Sequence, residues 1–209
     1  VLLEGAQAVL LDIDHGTYPY VTSSSTSAAG AFTGTGLAPR DLTRVIAVVK
    51  AYTTRVGEGP MPTEEPGETG ERLRNAGGEF GATTGRPRRC GWLDMVGLKY
   101  SMALNGVDVI ALTKLDVLSG MPEIEVCMGY EYNGRRLEGF PASPHILDEV
   151  VPIYETLPGW KGDISGCTSF DSLPREARDY VEYIEKGLGV PVKFIGVGQD
   201  RSQTIDRGL

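Results

Sequence analysis

The chain has 209 residues, of which 41% are hydrophobic and 23% are charged, and its formal net charge at pH 7 is -8. This apolar content supports a packed core and excludes an intrinsically disordered chain. The negative charge disfavours a general nucleic-acid binder, although it leaves room for a local basic pocket. No apolar run approaches the roughly 20 residues that a membrane span needs, so we expect neither a nucleic-acid nor a membrane partner.

The first residues have the pattern of a strand. Residues 1–5 (Val-Leu-Leu-Glu-Gly) are typical of a buried strand that enters a glycine turn. Because a native protein rarely begins inside a core strand, we expect the sequence to be cut at its N-terminus. A loop rich in Gly, Ser, Thr and Pro follows at residues 14–26, and a buried strand is predicted at residues 45–52.

Two helix-then-strand units are predicted further along the chain. The first has a helix at residues 92–105 that ends before Gly106, followed by a strand at 107–113. The second has a helix whose first turn holds Pro174 and a strand at 190–195. Residues 121–139 lie between them and predict strands joined by a hairpin turn at Asn133-Gly134. The fold class is therefore mixed α/β, with helix-strand units and a hairpin-containing excursion.

The cysteines and histidines do not indicate a metal centre. Cys90, Cys127 and Cys167 are odd in number and widely spaced, and the chain has two histidines, His15 and His145. A structural zinc site needs four ligands at close spacing, so we expect none. Reduced thiols are typical of a cytoplasmic protein.

A base-reading motif is the first candidate site. Thr113-Lys114-Leu115-Asp116 directly follows a predicted strand, and ligands often bind at the carboxyl ends of strands in α/β sheets. A carboxylate at Asp116 can accept hydrogen bonds from N1–H and the 2-amino group of guanine, a pair that adenine lacks. We expect the Lys114 stem to lie along the base with its ammonium in water. The alternative is an ordinary solvated turn.

A glycine-bounded arginine loop is the second candidate. Residues 81–89 (Gly-Ala-Thr-Thr-Gly-Arg-Pro-Arg-Arg) gather Arg86, Arg88 and Arg89. Packed like charges repel unless an anion lies between them, and arginine captures carboxylate and phosphate groups in bidentate fashion. The loop therefore predicts an anion site, with a solvated basic turn as the alternative.

Weaker signals come from three other segments. Gln7 follows a glycine and could contact a purine edge, or could be a surface residue. The hydroxyl run at residues 22–26 could bind phosphate, or could be an ordinary loop. Gly196-Val197-Gly198 fails as a dinucleotide fingerprint because the third glycine and helix do not follow, but its backbone could approach a nucleotide.

Taken together, these motifs resemble the adenylosuccinate synthetase family. The resemblance runs from Val1 to about Arg201 and includes Glu4-Gly-Ala-Gln7, residues 11–24, Thr54-Arg-Val-Gly-Glu-Gly-Pro60 and Phe80-Gly-Ala-Thr-Thr-Gly-Arg86. It also includes Thr113-Lys-Leu-Asp116 and Pro152-Ile-Tyr-Glu-Thr-Leu-Pro-Gly-Trp160. The chain is identified as the C-terminal half of such an enzyme, itself a larger α/β nucleotide-binding protein. The enzymes of that family join L-aspartate to IMP with hydrolysis of GTP in AMP biosynthesis.

The resemblance implies a role for each matching position. Gln7, Thr22, Val56 and Arg86 would bind IMP, with Gln7 at the hypoxanthine, Thr22 at the 5′-phosphate and Val56 near the ribose. The aspartate-binding loop would comprise Ala82, Thr83, Thr84, Gly85, Arg86, Pro87 and Arg88. GTP would contact Arg88, Lys114, Leu115, Asp116, Gly196, Val197 and Gly198. Pro87 interrupts a run of arginines that many members have, and Gly196-Val197-Gly198 replaces the more usual Ser-Thr-Gly.

The resemblance also implies what this chain lacks. The family's phosphate loop, catalytic aspartate and catalytic histidine, and most Mg²⁺ ligands, lie in a preceding half. We therefore expect no catalytic residue here, with Gln7 and Arg86 in supporting roles, an inactive isolated chain and an intact enzyme that is a homodimer. On this resemblance the chain would divide into an IMP-binding segment (1–60), an aspartate-binding loop region (61–91) and a guanine-binding α/β region (92–209). The competing hypothesis is a regulatory or non-catalytic guanine-nucleotide-binding domain.

Overall fold

A computed structural model describes residues 1–81 and 85–209. Within these ranges the chain forms five α-helices and ten strands. The helices are α1 (Ala28–Thr35), α2 (Glu68–Gly77), α3 (Met95–Asn105), α4 (Pro144–Glu149) and α5 (Arg175–Leu188). The strands are β1 (Ile46–Lys50), β2 (Thr53–Arg55), β3 (Arg89–Gly91), β4 (Leu93–Asp94), β5 (Val109–Thr113), β6 (Glu123–Tyr132), β7 (Arg135–Arg136), β8 (Val151–Pro158), β9 (Val192–Gly196) and β10 (Thr204–Asp206). Both helices and strands contribute to the fold, which confirms the predicted mixed α/β class.

The main sheet has the strand order β1-β5-β9-β10. β1, β5 and β9 run parallel, whereas β10 is antiparallel to β9. Short runs of β-branched and apolar residues form these strands, as expected for a sheet that packs against helices. The strands predicted at 45–52, 107–113 and 190–195 are all present, with ends that differ by one or two residues.

A second sheet has the strand order β4-β6-β7, and β8 pairs with β6 in the antiparallel direction from residue 123 to residue 131 of β6. β6 and β7 are antiparallel and are joined at Asn133-Gly134, which confirms the predicted hairpin. Asn133 (φ 51°) and Gly134 (φ 73°) both adopt left-handed backbone, as a tight two-residue hairpin turn requires. β8 was not predicted.

Helices α3 and α5 pack on the core. The predicted helix at 92–105 begins later, at Met95, because Leu93 and Asp94 pair with β6 as strand β4. The Asp94 carboxylate caps α3 by accepting from two backbone N–H groups. α5 buries the side chains of Ala177, Tyr180, Val181 and Ile184, as its helical spacing predicts. Among the described residues, no helix has the length and apolar character to cross a bilayer.

Two regions differ from the sequence predictions. Residues 1–6 form no strand, and Val1 and Leu2 are exposed, because no described segment pairs with them to complete their hydrogen bonds. The Gly-rich and charged stretch at 57–91 contains an unpredicted helix, α2, and the strand β3. Gly70 lies inside α2 because a Cβ there would come within 1.7 Å of the Glu65 carbonyl oxygen. The glycine that obscures the helical pattern is thus required by close packing.

Candidate functional site

A cleft of about 560 Å³ opens where β5 and β9 end, and we call it the strand-end cleft. β5 ends at Thr113 and β9 at Gly196, and because the two strands are parallel neighbours their carboxyl ends meet at one edge of the sheet. The end of α2, at Ala76 and Gly77, forms one wall, and residues 199–201 form another. The cleft therefore brings together segments that are far apart in the sequence.

Only some of the residues predicted to bind GTP line this cleft. Lys114, Asp116, Gly196 and Gly198 do so. Leu115 and Val197 are fully buried in the hydrophobic core, so their side chains anchor the loops to the core and do not face the cleft. A Cβ on Gly198 would come within 2.2 Å of the end of the Gln203 side chain, so a larger residue there would displace that side chain.

Asp116 has a carboxylate oxygen that receives no hydrogen bond from the described part of the chain. Its Oδ1 atom is buried and has no hydrogen-bond partner within residues 1–81 and 85–209. Burial raises the pKa of Asp116, and the nearby Lys114 charge partly opposes that shift. A buried acceptor without a donor is unfavourable. Asp116 therefore brings to the wall of the cleft a buried acceptor that the described residues leave unpaired.

Lys114 does not hold its ammonium in water as expected. Its φ of 60° lies in the left-handed region, which lets the chain turn from β5 into the 3-10 helix Leu115–Leu118. Its Nζ donates to the Gly77 carbonyl oxygen at 2.5 Å and to Glu79 Oε1 at 3.0 Å. The ammonium is drawn to a buried carboxylate and a helix-terminal carbonyl, which offer stronger electrostatic attraction than solvent.

Glu79 is a functional candidate that the sequence analysis missed. Its side chain is fully buried, and it accepts hydrogen bonds from Lys50, Tyr52, Arg88 and Lys114 at 2.7–3.0 Å. Burial alone would raise its pKa, but these donors outweigh burial and lower the pKa to about 2. No sequence motif marks a lone glutamate, and only its position directly before the Phe80-Gly motif could have drawn attention to it.

The arginine loop, residues 81–89, is partly described. Ala82, Thr83 and Thr84, predicted to bind aspartate, lie outside the described residues. Gly85 has left-handed backbone (φ 63°), and its N–H donates to the Gly81 carbonyl oxygen at 2.8 Å. Gly85, Arg86 and Pro87 are exposed on the surface.

The protein's own carboxylates pair with Arg88 and with Arg89. Arg88 pairs with Glu79 at 2.7 Å, and Arg89 pairs with Glu64. Arg89 also donates to the Gly59 carbonyl oxygen at 2.7 Å. The expectation that this charge needs a bound anion is therefore wrong for Arg89, which serves to hold the chain at 57–59. It stays open for Arg88, whose buried Nε has no acceptor among the described residues.

The residues predicted to bind IMP lie on loops. Gln7 is exposed and has left-handed backbone (φ 73°), Thr22 is half-buried, and Val56 is 50% exposed. None of these three lines the strand-end cleft. A ligand that contacts these three residues would therefore extend beyond the lining of the cleft.

A buried carboxylate organises the loop of residues 8–27, which we call the Asp12 loop. Asp12 accepts from the backbone N–H groups of residues 14, 15, 26 and 27, and from the Ser25 hydroxyl. Burial opposes its ionisation, but these hydrogen bonds outweigh burial and hold the pKa of Asp12 well below its usual range. Thr22 is fixed in this loop through its N–H, which donates to the Leu11 carbonyl oxygen at 2.8 Å.

A buried arginine joins the Asp12 loop to the segment that carries Val56. Arg55 donates through Nη2 to Thr17 Oγ1 and to the Tyr20 carbonyl oxygen, both at 3.0 Å. Its Nε donates to the Glu58 carbonyl oxygen at 2.9 Å. Arg55 therefore holds the surroundings of Thr22 and Val56 together, and the sequence analysis did not identify it.

The described residues gather no group of three or more His, Cys, Asp and Glu side chains that could hold a metal ion. Cys90 and Cys127 are buried free thiols, and Cys167 is also free.

Comparisons with known proteins agree on one family. The adenylosuccinate synthetase family model matches residues 1–205. The enzymes of that name from Geotalea daltonii and Pelotomaculum thermopropionicum are each 57% identical over 205 residues, which are 98% of this chain and 48% of each relative. The chain thus spans about half the length of the curated relatives it matches.

Solved structures give the same result. The fully ligated adenylosuccinate synthetase from Plasmodium falciparum superimposes with a TM-score of 0.96 at 49% identity, over 98% of this chain and 49% of that one. The succinoaminodeoxyadenylate synthetase of cyanophage S-2L has a TM-score of 0.56 at 19% identity, over 99% of this chain and 46% of that one. This second likeness is one of fold alone.

Proposed function

The chain belongs to the adenylosuccinate synthetase family, and from that premise we propose that the protein joins L-aspartate to IMP with hydrolysis of GTP. The observation that carries this proposal is the strand-end cleft, lined by Lys114, two glycines and Asp116, whose buried Oδ1 has no partner in the part of the chain that the structure describes. The arginine loop is joined to the same cleft through Glu79. A guanine nucleotide and an anionic second substrate would thus bind at adjacent places.

The cleft would select guanine over adenine. Ionised Asp116 accepts hydrogen bonds, and guanine offers N1–H and its 2-amino group as donors. Adenine has no donor at N1 or C2, so it would leave the buried oxygen unpaired, which is costly. Gly196 and Gly198 allow the base to approach the backbone, and the Lys114 stem would border the base.

The other substrates would bind on the loops. Gln7 would contact the hypoxanthine of IMP, Thr22 its 5′-phosphate and Val56 its ribose. Arg86 would reach both IMP and aspartate, with Thr83, Thr84 and Arg88 completing the aspartate site. Arginine suits this task because its planar guanidinium forms paired hydrogen bonds with carboxylate and phosphate groups.

The reaction would proceed in two steps. The γ-phosphoryl group of GTP is transferred to the 6-oxygen of IMP, giving 6-phosphoryl-IMP and GDP, and the aspartate amine then displaces phosphate at C6. Gln7, Arg86 and Arg88 would orient the reactants and stabilise developing negative charge. None of them is a general base, since arginine stays protonated and glutamine does not ionise. Mg²⁺ would assist phosphoryl transfer, with most of its ligands supplied from outside these 209 residues.

We further propose that the active enzyme is a cytoplasmic homodimer and that the 209-residue chain alone has no activity. Its segments 1–60, 61–91 and 92–209 would serve IMP, aspartate and guanine respectively. The reason for inactivity is that the roles open to these residues are binding and orientation, which do not by themselves transfer a phosphoryl group.

The test is a phosphate-release assay on the full-length gene product with IMP, L-aspartate and GTP, each omitted in turn. We expect release only when all three are present, little release with ATP in place of GTP, and none from the isolated 209-residue chain. Phosphate release that needs GTP but neither IMP nor aspartate would instead establish a nucleotide-binding regulatory protein. Turnover by the isolated chain would contradict the assignment of its residues to binding alone.

A further inference from the structure

Glu79 connects the two parts of the proposed site. Its position is fixed by the end of α2, where its N–H donates to the Arg74 carbonyl oxygen at 2.8 Å after the left-handed Gly78. Its own carbonyl oxygen accepts from the Arg88 N–H at 2.9 Å. Backbone and side chain of Glu79 thus both hold Arg88, so this arginine cannot move independently of α2.

The two oxygens of the Glu79 carboxylate serve different segments. Oε2 accepts from Arg88 Nη1 at 2.7 Å, and Oε1 accepts from Lys114 Nζ at 3.0 Å. A single rigid carboxylate therefore sets the distance between the arginine loop and the loop that follows β5. Tyr52 donates to Oε1 at 2.7 Å, and burial and Glu79 raise the pKa of Tyr52, so its neutral phenol helps to fix the rotamer.

The charges around Glu79 are not balanced. Lys50, Arg88 and Lys114 all contact this one carboxylate, which leaves an excess of positive charge between the two loops. Burial lowers the pKa of Lys50, as do the neighbouring charges of Lys114 and Arg88, while Glu79 opposes the shift. Without Glu79 the three cations would repel one another and separate.

From this geometry we propose that Glu79 is a positioning residue that holds Arg88 and Lys114 together for two substrates, the guanine nucleotide and the amino-acid dicarboxylate, while contacting neither. The inference rests on the proposed function. Removing the Glu79 charge releases the guanidinium of Arg88 and the ammonium of Lys114 together, so one substitution weakens the binding of two chemically different substrates. IMP binding through Gln7 and Thr22 depends on the Asp12 loop and is affected much less.

The experiment compares steady-state kinetics of the full-length gene product with those of its Glu79→Gln variant, which keeps the side-chain shape. We expect KM for GTP and KM for aspartate each to rise by about 10-fold, with KM for IMP changing by less than about 2-fold. A residue that only stabilises the fold lowers the fraction of active enzyme and leaves all three KM values unchanged. A rise in only one of the GTP and aspartate KM values, or in neither, overturns the proposal.

Two further variants keep the test decisive. Glu79→Asp retains the charge, so the cluster can fold, but its side chain is one methylene too short to reach both loops. The KM values for GTP and aspartate should therefore both rise, by a smaller factor than in Glu79→Gln. Unchanged KM values in Glu79→Asp overturn the proposal even where Glu79→Gln fails to fold. Glu185→Gln is the matched control, because Glu185 pairs with Arg207 at 2.8 Å and accepts from the Val192 N–H, away from both loops. An unmodified enzyme without turnover refutes the proposed function, whereas an active one with normal KM values in the Glu79 variants refutes the positioning role alone.

Discussion

The strand-end cleft and the Asp12 loop are built in different ways. The cleft takes its shape from paired strands, since β5 and β9 place Lys114, Asp116 and Gly196 at one edge of a sheet. The Asp12 loop has no strand, and its conformation depends on hydrogen bonds to one carboxylate and on the Arg55 guanidinium. Substitutions at Asp116 should therefore change function with little effect on stability. Substitutions of the polar residues that hold the Asp12 loop should change both function and stability.

The largest effect is expected from Asp12→Ala in the full-length gene product. The substitution removes one acceptor from four backbone N–H groups and the Ser25 hydroxyl, leaving buried donors without partners. We expect the free energy of unfolding to fall by about 3 kcal/mol, as measured by urea denaturation. IMP affinity should fall with it, because Thr22 lies in the same loop.

The control for this prediction is Asp14→Ala. Asp14 is an exposed neighbour in the same loop, so its carboxylate can be removed with a change of less than about 0.5 kcal/mol. Equal losses for the two variants would show that net charge, and not the buried acceptor, governs the stability of the loop.

The next effect is expected from Asp116→Asn in the cleft. Loss of two charge-assisted hydrogen bonds should raise the dissociation constant for GTP on the order of 100-fold, measured by titration calorimetry. The free energy of unfolding should not fall, because the buried Oδ1 of Asp116 has no partner in the described residues and burial already disfavours its charge. Stability and binding should thus separate here, in contrast to the Asp12 variant.

Base analogues sharpen the same test. Xanthine has a carbonyl where guanine has the 2-amino group, and the Asn amide can donate to it, so the variant should bind xanthosine triphosphate better than GTP. Asp179→Asn, which removes an exposed charge on α5, is the matched control and should leave the affinity for GTP unchanged. A fall in stability without a change in base preference would show that Asp116 is a structural residue.

The difference between the regions also explains what the sequence could predict. Parallel strands, the Asn133-Gly134 hairpin and the buried face of α5 follow from local patterns of apolar and turn residues, and they place Asp116 and Gly196 together. Glu79 and Arg55 leave no such pattern, because their side-chain partners other than Glu58 are 9 to 38 residues away and are brought near by packing. The burial of Leu115 and Val197 could not be predicted either, because it depends on which side of each loop faces the core.

The smallest effect is a difference in pH dependence between the two regions. Burial raises the pKa of Asp116, whereas hydrogen bonds that outweigh burial lower the pKa of Asp12. As the pH falls from 7, Asp116 should therefore take up a proton first. Below its pKa the affinity for GTP should fall by about tenfold per pH unit, while Asp12 remains ionised and the loop keeps its structure.

Linkage fixes the sign of each contribution to stability. Because the pKa of Asp12 is lower in the folded state than in the unfolded state, ionised Asp12 stabilises the fold at pH values above the ordinary carboxyl pKa. That contribution is lost as the pH falls through the pKa of Asp12 in the folded state. The raised pKa of Asp116 acts in the opposite sense, so its protonation on acidification favours the folded state.

Titration calorimetry with GTP and hydrogen exchange at the Thr26 and Ser27 amides, over pH 7 to 4, follow the two regions separately. The Asp116→Asn variant should show no such fall in affinity, and loss of amide protection at the same pH as loss of GTP binding would mean that the cleft and the loop respond as one unit.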